Sequence, residues 1–242
     1  KKVKQEVYIH QPLPFVEYKF RFNENRLYWI KQNILGRMIV RSIKKADHVI
    51  VQTQWMKKAC IEKAKVEESK IEVQPPKINI SVKKYFHSNG NALKTFFYPA
   101  HGVHYKNHKI IVDACEKLKS VGINDYKVIF TLNENDNDHI SELYKRILKN
   151  QLPVEFIGKI GREEVFDYYT KSVLIFPSYI ETFGLPLLEA KLHKTPILAS
   201  DTPFAHEILD DYDKVIFFNP FNSDELCEAM VKILTSNKRV TK

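Results

Sequence analysis

Cysteine is scarce: Cys60, Cys115 and Cys227 are the only three, they lie far apart, and none sits in a CxxC pair. That spacing argues against a disulfide framework and points to a reducing, intracellular compartment. Long apolar runs are also missing, so no segment approaches the length of a membrane span. The opening residues lack a signal-peptide core, and a soluble, cytoplasmic chain is the expectation. Glycine amounts to 7 of 242 residues. No GxGxxG fingerprint opens the longer series of strands described below, which argues against an NAD enzyme. Helix-turn-helix, zinc-finger and RNP patterns are absent too, so nucleic acid is not an expected partner.

What is present describes a globular protein: 44% of the residues are hydrophobic and 28% charged, in a length that suits one large domain or two modest ones. The net charge of +9 is unevenly spread. Residues 1–94 hold 20 Lys and Arg against 8 Asp and Glu, a balance of +12, and the remainder carries −3. A basic first part is compatible with peripheral contact with an anionic membrane, at its inner face for a cytoplasmic chain.

Periodicity divides the chain into two alternating series. Residues 6–10 read as a strand, 25–45 as a helix with Leu27, Ile30, Ile34, Met38 and Ile43 at near-helical spacing, 47–53 as a strand, 54–65 as a helix and 70–74 as a strand closed by Pro75 and Pro76. This βαβαβ series is short for a complete doubly wound domain. Residues 77–94 read as a linker. Strands are then expected at 96–99, 127–132, 154–157, 173–176, 196–199 and 215–218. Helices fall at 107–120, 140–150, 162–171, 186–193, 204–209 and 223–234. Six strands alternating with helices predict a doubly wound parallel sheet.

The stretch 173–190 is the most informative. An apolar strand enters a short polar loop with one glycine, Gly184, and a helix leaves it near Pro186, where a missing N–H costs nothing. Free backbone N–H groups and a positive helix end then form an anion site, with Glu181 and Glu189 on either side. A ligand with phosphate in its middle and hydroxyls at both ends, such as a nucleotide-sugar, suits that arrangement.

Glu181 to Glu189, with Phe183-Gly184-Leu185-Pro186 between, resembles the E-x7-E signature of retaining glycosyltransferases of the GT-B fold, in the large family 4 or group 1 set. The resemblance covers most of the chain. It implies an α/β fold in which residues 1–76 form a partial N-terminal, acceptor-side domain and 95–242 a Rossmann-like C-terminal domain that binds the donor. The family's first strands and their glycine-rich loop have no counterpart here, and neither has its final crossing helix, so a chain truncated at both ends, or a separately encoded piece, is expected. It further implies transfer of a hexose from a nucleotide-diphosphate-sugar to a glycan or lipid-linked saccharide in polysaccharide biosynthesis, with no cofactor and no metal.

Carried over residue by residue, the resemblance gives Lys106 the task of neutralising the departing diphosphate. His101 occupies the position five residues earlier where the family usually has Arg. Gly158 and Ile160, in the loop Gly158-Lys159-Ile160-Gly161, would lie against the nucleotide base. Glu181 would meet the hexose hydroxyls, Glu189 the ribose hydroxyls, and the backbone of Phe183, Gly184 and Leu185 the sugar and phosphate. His10, at the end of a strand, matches an active-site histidine near the transferred sugar. Two metal-like patterns compete: the cluster His101, His104 and His108, and the DxD-like Asp136-Asn137-Asp138. The second reads better as a helix-capping loop. Two alternatives stay open: a nucleotide-sugar-binding half that cannot turn over alone, and a basic membrane or nucleic-acid adaptor.

Overall fold

The computed structural model describes residues 3–23, 25–88 and 91–236. The chain divides into two compact units, Lys1–Asn79 with Ile180–Gly184, and Ile80–Tyr179 with Leu185–Lys242. Residues 80–94, part of the stretch read as a linker, group with the second unit, where the Phe86 and His87 N–H groups donate to the carbonyls of His193 and Thr170.

The first unit is a three-stranded parallel sheet in the order β1 (Glu6–Tyr8), β2 (His48–Val51), β3 (Ile71–Val73). Its crossovers are helical: α1 (Arg26–Ile30), a π turn (Lys31–Leu35) and α2 (Gly36–Lys45) precede β2, and α3 (Gln54–Ala64) precedes β3. The core is Ile9, Ile43, Ala46, Val49, Val51, Met56, Cys60, Ala64 and Ile71. Burial pushes the Cys60 thiol up to about 12, so it stays protonated.

The helix expected over 25–45 forms as α1, the π turn and α2, but most of its apolar stripe does not face the core. Leu27, Ile34 and Met38 are exposed, and of the five apolar positions only Ile43 is buried. The buried face runs through Gln32, Gly36 and Ile43, with Ile39 and Val40 beside it. Spacing alone does not tell which stripe of a helix meets the core. Here a polar clamp decides. Gln32 donates from Nε2 to the Leu13 and Tyr18 carbonyls at 3.1 and 2.7 Å and accepts the Phe20 N–H at 3.0 Å, which satisfies a buried amide and ties down residues 13–20.

The second unit is a six-stranded, all-parallel sheet: β4 (Thr95–Tyr98), β5 (Lys127–Phe130), β6 (Val154–Phe156), β7 (Val173–Phe176), β8 (Ile197–Ser200) and β9 (Val215–Phe218), in the order β6-β5-β4-β7-β8-β9. The helices between them are α4 (His108–Ser120), α5 (Asp138–Lys149), α6 (Arg162–Lys171), α7 (Leu185–Leu192) and α8 (Pro203–Leu209), with α9 (Ser223–Ser236) last. They pack in two groups, α4 with α5 and α9, and α6 with α7 and α8. This is the doubly wound arrangement expected from the alternation. β4, β7 and β8 are buried at every residue, because a parallel sheet covered by helices leaves no solvated face. Strand order reverses between β4 and β7, the place where open α/β sheets of this kind leave a crevice at their carboxyl edge.

Candidate functional site

The loops that follow β4 and β7 therefore start side by side at the switch point. In the first of them, Gly102 is held against α5: a Cβ there would clash with the Ile140 side chain, and the Gly102 carbonyl accepts from Asn137 Nδ2 at 2.9 Å. The chain then makes one 3-10 turn, His104–Lys106, and Asn107 takes a left-handed φ of 61° before α4 begins. Asn107 Nδ2 donates to the Pro220 carbonyl at 2.7 Å and to that of Pro177 at 3.4 Å. The Tyr105 carbonyl accepts from the Tyr179 N–H and from Ser178 Oγ. These bonds staple the loop after β4 to the start of the loop after β7. Lys106, half-buried, has its Nζ 5.8 Å from the centre of the Phe176 ring, and its carbonyl accepts from Tyr98 OH at 2.8 Å. His101 is exposed in the same loop.

Glu189 lies on α7 and is buried, 8% exposed. Arg162 Nη2 stands 3.1 Å from its Oε1, and Tyr169 OH donates to Oε2 at 3.3 Å. Burial raises the Glu189 pKa, and the Arg162 charge and hydrogen bond work against that rise. Arg162 opens α6 directly after the loop 158–161, so Gly158 and Ile160 are covalently close to the group that holds Glu189. The Gly158 N–H donates to the Leu132 carbonyl at 2.9 Å, which anchors that loop to the segment just beyond β5. Leu185, the first residue of α7, is exposed, and Pro186 falls in the first turn.

The segment Ile180–Gly184 groups with the first unit. There the Thr182 carbonyl accepts from Thr53 Oγ1 at 2.9 Å and from Trp55 Nε1 at 3.2 Å. Glu181 and Phe183 are half-exposed, while Gly184 is buried with φ of 87°, a left-handed backbone that favours glycine. His10, also in the first unit, lies two residues beyond β1 and stacks on Tyr8 with ring centres 4.1 Å apart.

The histidine cluster does not converge. His108 is buried against the rings of Tyr98 and Phe130, and His104 instead meets His139. Burial first, then the nearby His139 and Lys106, lowers the His108 pKa to about 3. Asn137 caps α5 by accepting the Ile140 N–H, and Asp136 accepts from Asn133, so the DxD-like stretch is a capping loop. Among the described residues no group of three or more His, Cys, Asp or Glu is arranged to hold a metal ion.

Sequence reasoning missed Arg162 and Tyr169 as partners of Glu189, and Tyr105 and Asn107 as staples. No local pattern marks them, since the partners are 20 or more residues away in the chain.

A mannosyltransferase of O-antigen chains, RfbU of Salmonella typhimurium, is 26% identical over 197 residues, covering 78% of this chain and 52% of its own length. Sucrose-phosphate synthase of Spinacia oleracea is 32% identical over 125 residues, 46% of this chain and 12% of that protein. The chain thus spans about half the length of the first of these relatives and a smaller share of the second. Among solved structures, HepE of Anabaena in complex with UDP and glucose superposes with a TM-score of 0.72 at 16% identity, covering 97% of this chain and 63% of that one. TarM does so with a TM-score of 0.76 at 15% identity, covering 98% and 45%. These neighbours share the GT-B type of fold. The family model of glycosyl transferases group 1 matches residues 83–242, the whole switch-point sheet with both acids of the E-x7-E pattern, and the chain belongs to that family.

Proposed function

We propose that this chain carries the donor-binding part of a retaining, metal-independent, family 4-like glycosyltransferase. It moves a hexose from a nucleotide-diphosphate-sugar to a glycan or lipid-linked saccharide in polysaccharide biosynthesis. The observation that carries this reading is the strand order of the second unit. That order starts the Lys106 loop and the loop leading to α7 side by side at a switch point, where phosphate-bearing ligands are commonly held. UDP, glucose and UDP-glucose in the HepE structures support a nucleotide-sugar donor, and the mannosyl and sucrose-phosphate relatives support a hexose.

In this reading Lys106 and the N–H groups that open α7 take up charge on the departing diphosphate while the sugar gains oxocarbenium character. His101 lies on the same loop at the outer edge of the diphosphate. Glu181 orients the hexose, the backbone of Phe183, Gly184 and Leu185 holds sugar and phosphate, and Glu189 meets the ribose. Gly158 and Ile160 lie along the base, and His10 approaches the transferred sugar. Lys106→Ala and Glu181→Ala in the full chain each lower transfer, the first by about 10²–10³. Near wild-type rates in both variants would end the assignment.

In a second reading the chain binds a nucleotide-sugar but does not turn it over alone. Calorimetry with UDP, GDP and ADP beside a transfer assay separates the two. The basic first unit supports peripheral contact with an anionic membrane, for which salt-sensitive flotation with phosphatidylglycerol vesicles is the check.

A further inference from the structure

Among the described residues Glu189 is the only buried carboxylate. A carboxylate removed from water is costly unless it is paired and hydrogen-bonded. Both oxygens are engaged, Oε1 by Arg162 and Oε2 by Tyr169. The two donors differ in kind. Arg162 donates from a planar guanidinium, and more than half of its side chain (56%) faces solvent. Tyr169 is fully buried, and its phenol, raised well above its ordinary value by burial first and the Glu189 charge second, stays an O–H donor.

An ionised carboxylate has about four acceptor positions, two on each oxygen. Arg162 and Tyr169 take one on each, which leaves one on each for further donors. Two acceptor positions on one rigid carboxylate suit two neighbouring hydroxyls, the pattern of a ribose 2′,3′-diol. We infer that Arg162 and Tyr169 are positioning residues that hold the Glu189 carboxylate in one orientation, with one acceptor position per oxygen turned to a vicinal diol. Because Arg162 follows the loop 158–161 directly, the same contact ties the segment beside the base to the group that reads the ribose. The inference rests on the reading of Glu189 as the ribose acid.

The test is calorimetric, on the full chain, with UDP, GDP and ADP, and then with the 2′,3′-dideoxy counterpart of whichever binds. Wild-type protein is expected to prefer the ribonucleotide by on the order of 10²- to 10⁴-fold, as for two hydrogen bonds to a charged acceptor. Arg162→Ala removes most of that preference, Arg162→Lys restores part of it, and Tyr169→Phe lowers it by a smaller factor. Arg162→Ala also shifts the acid-side loss of affinity to higher pH, because the buried acid then protonates more readily. The charged and titratable groups acting on Glu189 are Arg162 and Tyr169 from α6 and His193 from the end of α7. His193 is unchanged in these variants.

If Arg162→Ala and Tyr169→Phe keep the full preference and the wild-type pH profile while Glu189→Gln loses the preference, the positioning inference fails and the ribose reading stands. If Glu189→Gln keeps the preference, the ribose reading itself fails. If none of the three nucleotides binds, both are overturned.

Discussion

The two units are built on the same parallel βαβ logic, yet they hold together differently. In the second unit β4, β7 and β8 are buried along their whole length, and helices pack in two groups around six strands. In the first unit β1 has no fully buried residue and β3 has one, so only β2 resembles the central strands of the larger sheet. The larger sheet rests on apolar volume. The smaller one adds a buried polar clamp, Gln32, which fastens residues 13–20 through three hydrogen bonds.

This contrast can be broken experimentally, because the only two tryptophans, Trp29 and Trp55, both lie in the first unit. Tryptophan fluorescence therefore reports that unit, while far-ultraviolet circular dichroism is dominated by the larger second one. The largest stability effect is expected from Phe176→Ala. It empties a fully buried site in β7 and should cost about 3–5 kcal/mol, lowering the dichroism midpoint in urea more than the fluorescence midpoint. Equal shifts of both signals would show that the units do not differ in this way.

Acid should act on the second unit next. The His108 pKa falls from about 6.5 in the unfolded chain to about 3 in the folded protein. Its neutral ring thus contributes stability that is complete above pH about 6.5 and is lost as pH falls toward 3. The slope of this one group is about 1.4 kcal/mol per pH unit. His108→Leu should flatten the dichroism-detected stability between pH 6.5 and 4.5 relative to wild type; an unchanged slope would place the acid sensitivity elsewhere. The smallest effect is expected from Gln32→Ala. It removes the amide that one N–H and two carbonyls bond to and should cost about 1–3 kcal/mol, read in the fluorescence transition ahead of the dichroism one.

Much of the second unit was legible in the sequence because its central strands are continuous apolar runs between turn residues. β7 and β9 begin and end where the runs do, and α6 spans the expected residues 162–171. The first unit was harder to read. Leu27, Ile34 and Met38 form a convincing stripe, yet they face outward, since the placement of a helix depends on what the opposite face can clamp. Close approach matters as well: a Cβ on Gly36 would stand 3.1 Å from Pro14, so the helix seats its glycine against that loop.

The candidate site divides along the same line. The acidic pair, the lysine loop and the helix with Pro186 in its first turn are each a single stretch of sequence and could be named from it. Arg162 and Tyr169 stand 27 and 20 residues from Glu189, and nothing local marks them.

By itself the sequence determined that this protein has an alternating parallel α/β sheet and an acid pair around a helix start, because strand burial and helix capping are local properties of the chain. Which strands became neighbours, which helix face turned inward, and which cation and phenol came to hold Glu189 were decided only by tertiary packing. Those choices depend on residues far apart in the chain meeting in space, and periodicity carries no record of such meetings.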